Sequence, residues 1–123
     1  MFVRIYPRKH TDAVVTFEAF SESIQPWPGM FAEPDGSFVW VIPTEDSRYQ
    51  LDGMIYDRDG GIEYVELKGT ACRSMWDSIC LNLFLDTHGR IRSDAWYDQP
   101  SIHDVENNAW LSPSEVASKL ETI

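Results

Sequence analysis

The stretch from Gln50 to Gly69 constrains the fold more than any other, because two runs of strand composition flank Arg58-Asp59-Gly60. An aspartate–glycine pair between such runs signals a tight turn, since glycine takes positive φ at little steric cost. Leu51, Ile55, Val65 and Leu67 alternate along the two arms, as a core-facing surface requires. Asp52, Met54, Tyr56, Ile62, Tyr64, Glu66 and Lys68 then fall on the opposite face. Pairing Asp57 with Gly61 places Asp52 directly opposite Glu66 and puts Lys68 on the same side.

Other elements assemble around this hairpin. Residues 2–6 read as a short strand stopped by Pro7. Residues 12–24 read as a helix capped by Thr11 or Asp12, with Ala13, Phe17, Phe20 and Ile24 on one stripe. Gln25-Pro26-Trp27-Pro28-Gly29 ends that helix, and the spacing predicts a loop up to Asp35-Gly36. Residues 37–42 form a strand apolar on both sides, which predicts a central strand covered twice. The strongest helical pattern spans 70–85, capped by Thr70, with Cys72, Met75, Trp76, Ile79, Cys80, Leu83 and Phe84 on one stripe and Gly89 as the C-terminal cap. A strand is expected over 90–97, and 102–110 reads equally as a short edge strand or a loop. Ser112-Pro113-Ser114-Glu115 is a capping box that opens a last helix reaching about residue 121.

The order β-α-β-β-β-α-β-(β)-α predicts an α+β two-layer sandwich in a single domain over residues 1–123. Its sheet is expected to be antiparallel or mixed, with four to six strands, the 70–85 helix lying on the Leu51/Ile55/Val65/Leu67 face.

Composition narrows the partners. The chain has 123 residues, 43% of them hydrophobic, which suits a folded domain. Its formal charge of −10, from 20 acidic and 10 basic residues, repels a phosphate backbone. Arg4, Arg8, Lys9 and His10 make a small cationic group, but no basic run interleaved with aromatics exists, so nucleic acid is not an expected partner. Cys72 and Cys80 stand eight residues apart on a predicted helix; roughly 12 Å of axial rise separates them, too far for a disulfide. They read as reduced core thiols, which suits the cytoplasm. The N-terminal residues lack an apolar signal region, and the longest apolar run, 38–42, is too short for a bilayer. His10, His88 and His103 lack metal-ligand spacing, and no nucleophile elbow, P-loop or dinucleotide fingerprint is present.

Two functional expectations follow. Three helices cannot cover both sides of such a sheet, so the face carrying Met54, Tyr56, Ile62 and Tyr64 is expected to stay open, rimmed by Asp52, Glu66 and Lys68. With Trp27 as an exposed anchor between two prolines, that face suits a protein partner or a homodimer and needs no cofactor. In size, charge and approximate element order the chain resembles secretion chaperones and immunity-type proteins, which act by masking a partner. A non-catalytic acidic interaction domain is therefore the expected function.

The alternative comes from residues 11–97, whose order α-β-β-β-α-β carries Asp52 on one strand and Glu66-x-Lys68 on the next. This resembles the PD-(D/E)xK nuclease superfamily, with Leu51 standing where the family has its proline. The resemblance implies that Asp52 and Glu66 hold Mg²⁺ while Lys68 positions the attacking water. Glu18 or Glu22 would add a further acid from the first helix. The chain would then be a Mg-dependent nuclease or a degenerate, nuclease-like descendant, since a hard cation takes oxygen ligands and lowers the pKa of its bound water.

Overall fold

A computed structural model describes residues 1–7, 15–84 and 96–122. Its strands are β1 (Phe2–Ile5), β2 (Met30–Ala32), β3 (Ser37–Pro43), β4 (Arg48–Arg58), β5 (Gly61–Gly69), β6 (Ile102–Asp104) and β7 (Ala109–Leu111). They form one seven-stranded sheet in the order β2-β3-β4-β5-β1-β6-β7, every neighbouring pair antiparallel. The α+β class is as expected, but the described sheet exceeds the expected four to six strands. Two three-residue edge strands account for much of the difference. β2 lies inside the segment expected to be loop, with Met30 opposite Trp40 and Ala32 opposite Phe38. β6 and β7 form a hairpin where the sequence left strand and loop open, turning at Asn108 with φ of 48°. Such short runs carry almost no periodicity, and their brevity limits the exposed ladder at each edge.

The hairpin register differs from the expectation by two residues. Asp59 and Gly60 take φ of 54° and 82°, a two-residue turn of the type whose twist matches the strands. Arg58 therefore faces Gly61, and Asp57 faces Ile62. A bulge next leaves Glu63 without an opposite residue, and Tyr56 faces Tyr64. From there Met54 opposes Glu66 and Asp52 opposes Lys68, so Asp52 does not sit across from Glu66. The bulge also turns Ile62 to the other side of the sheet. Ile62 is 0% exposed and belongs to the core, not to the open face where the sequence placed it.

Three helices, α1 (Phe17–Ile24), α2 (Arg73–Leu83) and α3 (Pro113–Ala117), bury their apolar stripes on one face of the sheet. α1 begins at Phe17 because Thr16 caps it, its Oγ1 accepting from Ala19 N at 3.0 Å, while Thr16 itself bridges to Gly61. The expected cap at Thr11 or Asp12, and Ala13, lie outside the described residues. Gln25 still has helical dihedrals, φ −53° and ψ −42°, and the helix ends there because Pro26 has no N–H to continue the ladder. The N-cap of α2 is Cys72 and not Thr70. Thr70 Oγ1 instead accepts from the Gln50 backbone N–H at 3.1 Å, tying the end of β5 to β4. All seven residues of the predicted α2 stripe are buried. Gly89 and residues 90–95 of the expected strand are outside the description, and Trp96–Asp98 is a short 3₁₀ turn. α3 has the predicted capping box, with Ser112 Oγ bonded to Glu115 N at 3.1 Å and Glu115 Oε1 accepting from Ser112 N at 3.0 Å, but stops at Ala117.

Facing these helices, the sheet contributes Phe38, Trp40, Leu51, Ile55, Val65, Leu67, Val3, Ile5 and Ile102 to one core. Gly53 shares that side, and the Phe38 ring lies directly over it. Trp76 is fully buried, and its Nε1 donates to the Pro113 carbonyl at 3.0 Å, joining α2 to the start of α3. Burial of side chains of this size, each favoured by about 1.5–3 kcal/mol, pins the helices to one side. β3 is accordingly buried on its Phe38/Trp40 side, whereas Val39 and Val41 on the other side are half-buried. No helix among the described residues is long and apolar enough to cross a membrane.

Candidate functional site

The sheet face turned away from the helices is the candidate site. Strand alternation and the observed register fix its side chains into rows running across the strands. One row carries Phe31, Val39, Asp52, Lys68 and Phe2. The next carries Ser37, Met54, Glu66, Arg4, His103 and Trp110. A third holds Tyr56, Tyr64 and Tyr6, the last bonded through its backbone N–H to the Ser101 carbonyl at 2.9 Å. Phe31 is 67% exposed, Trp110 45% and Tyr56 37%. They are the most exposed large apolar side chains on this face.

The rings are organised against one another. Tyr56 stacks on Tyr64 at 4.5 Å between centroids, and Tyr64 meets Tyr6 at 5.2 Å. Tyr6 meets Trp110 at 5.3 Å, and Trp110 meets His103 at 5.1 Å. Tyr56 and Tyr64 stack at an interplanar angle of 26°, and the other pairs are tilted by 36–55°, within the offset and tilted geometries that aromatic pairs prefer. Arg4 anchors the centre. Its Nε donates to Glu66 Oε2 at 3.0 Å, and its guanidinium lies 5.4 Å from the Tyr64 ring centroid. The Glu66 hydrogen bond raises the Arg4 pKa, so this cation stays charged throughout. Desolvation among the rings raises the Tyr64 phenol, against the opposing pull of Arg4. Lys68 Nζ stands 4.3 Å from the Phe2 ring centroid, a second cation–π contact.

The predicted site residues are thus partly brought together. Met54, Tyr56 and Tyr64 share the open face, while Ile62 is in the core. Trp27 is half-buried, its ring 4.9 Å from that of Trp40, whose Nε1 donates to Pro28 O at 2.9 Å. It fastens the loop against the core and is not an exposed anchor. Asp52, Glu66 and Lys68 also share the open face, with Asp52 and Glu66 diagonal to each other. Asp52 Oδ1 accepts from Gln50 Nε2 at 3.2 Å, and Glu66 is held by Arg4. Glu18 and Glu22 belong to α1, on the helical side of the sheet. Among the described residues no three His, Cys, Asp or Glu side chains are grouped to hold a metal.

Sequence reasoning missed Phe2, Arg4, Tyr6, His103, Trp110 and Phe31. The alternation Phe2-Arg4-Tyr6 was a usable signal for one face of a strand. Only the insertion of β1 between β5 and β6 shows that this face continues the tyrosine row. No family model, curated protein or solved structure matches the chain.

Proposed function

We propose that the chain is a non-catalytic interaction domain that binds a protein through its helix-free sheet face. The observation that carries this reading is the row Tyr56–Tyr64–Tyr6–Trp110, set around the Arg4–Glu66 pair on a face that no described helix covers. Tyrosine, tryptophan and arginine are the residue types that concentrate binding energy at interfaces. The neighbouring contacts hold these side chains in place, so little rotamer freedom is lost on docking. A photo-crosslinking residue at position 31 or 56 should capture a protein in cells, with the yield falling on Trp110→Ala. The same residue at position 22, on α1, should not capture it. Equal capture from positions 22 and 56 would remove the reading.

A second reading rests on the common face of Asp52, Glu66 and Lys68. It is the Mg²⁺-dependent nuclease or nuclease-like domain, with the two carboxylates as ligands and Lys68 beside the reacting phosphate. Mn²⁺ at millimolar concentration should then broaden the amide signals of Asp52 and Glu66, and Asp52→Ala should abolish the effect. Unchanged signals would dismiss this reading.

A further inference from the structure

Building on the protein-binding reading, we infer that the partner is a second copy of this chain, docked face to face on the open sheet. The two-fold axis runs along the strands, between β4 and β5. Asp52 and Lys68 are exposed cross-strand neighbours, yet they form no ion pair among the described residues. Asp52 Oδ1 accepts from Gln50 Nε2 at 3.2 Å, and Lys68 Nζ rests 4.3 Å from the Phe2 ring centroid. The face thus presents a carboxylate and an ammonium side by side, neither bonded to an opposite charge. Val39 lies beyond Asp52 and Phe2 beyond Lys68, so the row reads apolar, acid, base, apolar from β3 to β1. A partner complementary at all four positions must read apolar, base, acid, apolar. That is the same row turned end for end.

A two-fold axis between β4 and β5 performs this turn, as the self-complementary interface of a symmetric dimer requires. It sets Asp52 against Lys68 of the other copy and Val39 against Phe2 of the other copy, each contact occurring twice. The same axis brings Tyr56 against Tyr64 of the other copy, because these two also face each other across β4 and β5. Two sheets about 10 Å apart, their strands aligned to within about 30°, is the ordinary geometry of a sandwich. Charge permits the contact. Each chain carries −10, but on the face itself Arg4 and Lys68 balance Asp52 and Glu66. Glu66 comes against Met54 of the other copy with its charge already met by Arg4 at 3.0 Å. Repulsion between the rest of the two chains is screened beyond about 8 Å at about 0.15 M salt.

Sedimentation equilibrium of the full chain at about 0.15 M salt should show a dimer. Asp52→Lys and Lys68→Asp, each alone and checked for folding by circular dichroism, set like charges against each other twice. Each should weaken the dimer at least about tenfold. Mixing the two variants in equal amounts should restore a dimer containing one of each, and so should combining both changes in one chain. Weakening by both single variants without rescue by the mixture would overturn the inference, because opposite charges would not then be meeting across the axis. A dimer that neither single variant weakens would put the contact on another surface and overturn it as well. A chain that stays monomeric at millimolar concentration would overturn it too, while capture of a different protein from position 56 would then leave the protein-binding reading standing. A monomer that captures nothing from position 31 or 56 would remove both.

Discussion

Gly53 offers the sharpest test of how the two faces of the sheet are divided. A Cβ built on Gly53 falls 2.1, 2.3 and 2.4 Å from three atoms of the Phe38 ring. Carbon atoms in contact sit at about 3.5–4.0 Å, so the ring would have to retreat by at least about 1.4 Å. Phe38 is 2% exposed and belongs to the main core cluster, so a retreat displaces its neighbours in turn. Overpacking of this kind costs about 1–3 kcal/mol. Losing glycine's unfolded-state freedom offsets about 0.4–1 kcal/mol of that. Gly53→Ala should therefore destabilise the protein by about 1–2 kcal/mol, read as a lowered urea midpoint with an unchanged slope. Tryptophan fluorescence is the convenient signal. Phe38→Leu should be destabilising alone but should remove most of the penalty for Gly53→Ala, giving a coupling of about 1 kcal/mol in a double-mutant cycle. Gly53→Ala as stable as the parent, or strictly additive with Phe38→Leu, would show that the ring does not rest on this glycine.

Other parts of the structure give further expectations. Trp76→Phe leaves the buried Pro113 carbonyl without its donor at 3.0 Å and should cost about 1–3 kcal/mol by calorimetry, with α3 losing amide protection first; a loss below half a kcal/mol would contradict the burial of that bond. Burial lifts the Cys80 thiol well above its ordinary pKa, so in a Cys72→Ser background an aromatic disulfide reagent at pH 8 should react only as fast as the protein unfolds, and rapid stoichiometric labelling would refute this. The Tyr49 hydroxyl donates to the Glu121 carboxylate, and this hydrogen bond, with desolvation secondary, pushes the Tyr49 pKa up to about 12. Because the folded value exceeds the unfolded one, the contribution is fully present below about pH 10 and is lost as pH rises through about 12. Ultraviolet titration should show late-ionising tyrosine absorbance that falls by one residue's worth in Tyr49→Phe, with the raised Tyr64 remaining. At the acid end, hydrogen bonds from Ser37 hold Asp35, and those from Asn107 hold Asp104, below the usual carboxylate value. Their contributions are present above that value and should disappear as pH falls through the lowered folded pKa, an effect that Asp35→Asn and Asp104→Asn should each diminish.

Local chemistry made much of the fold readable from the chain. The α2 stripe, the Ser112/Glu115 box, the strand core of 37–42 and the Asp59-Gly60 turn each depend on residues a few positions apart. Such signals survive in any folded context, because helix pitch, strand alternation and turn conformation are set by the backbone itself. The alternation along β4 likewise showed that Met54 and Tyr56 share a face. What the tertiary structure alone decided was which strands became neighbours and in what register. The bulge at Glu63 sent Ile62 to the core and, together with the two-residue turn at Asp59-Gly60, moved the partner of Asp52 from Glu66 to Lys68. The docking of β1 between β5 and β6 brought Arg4 and Tyr6, more than fifty residues distant in sequence, against Glu66 and Tyr64. Pairing of that kind is chosen by burying one whole sheet face under three helices, a global minimisation of exposed apolar surface to which no short window of sequence has access.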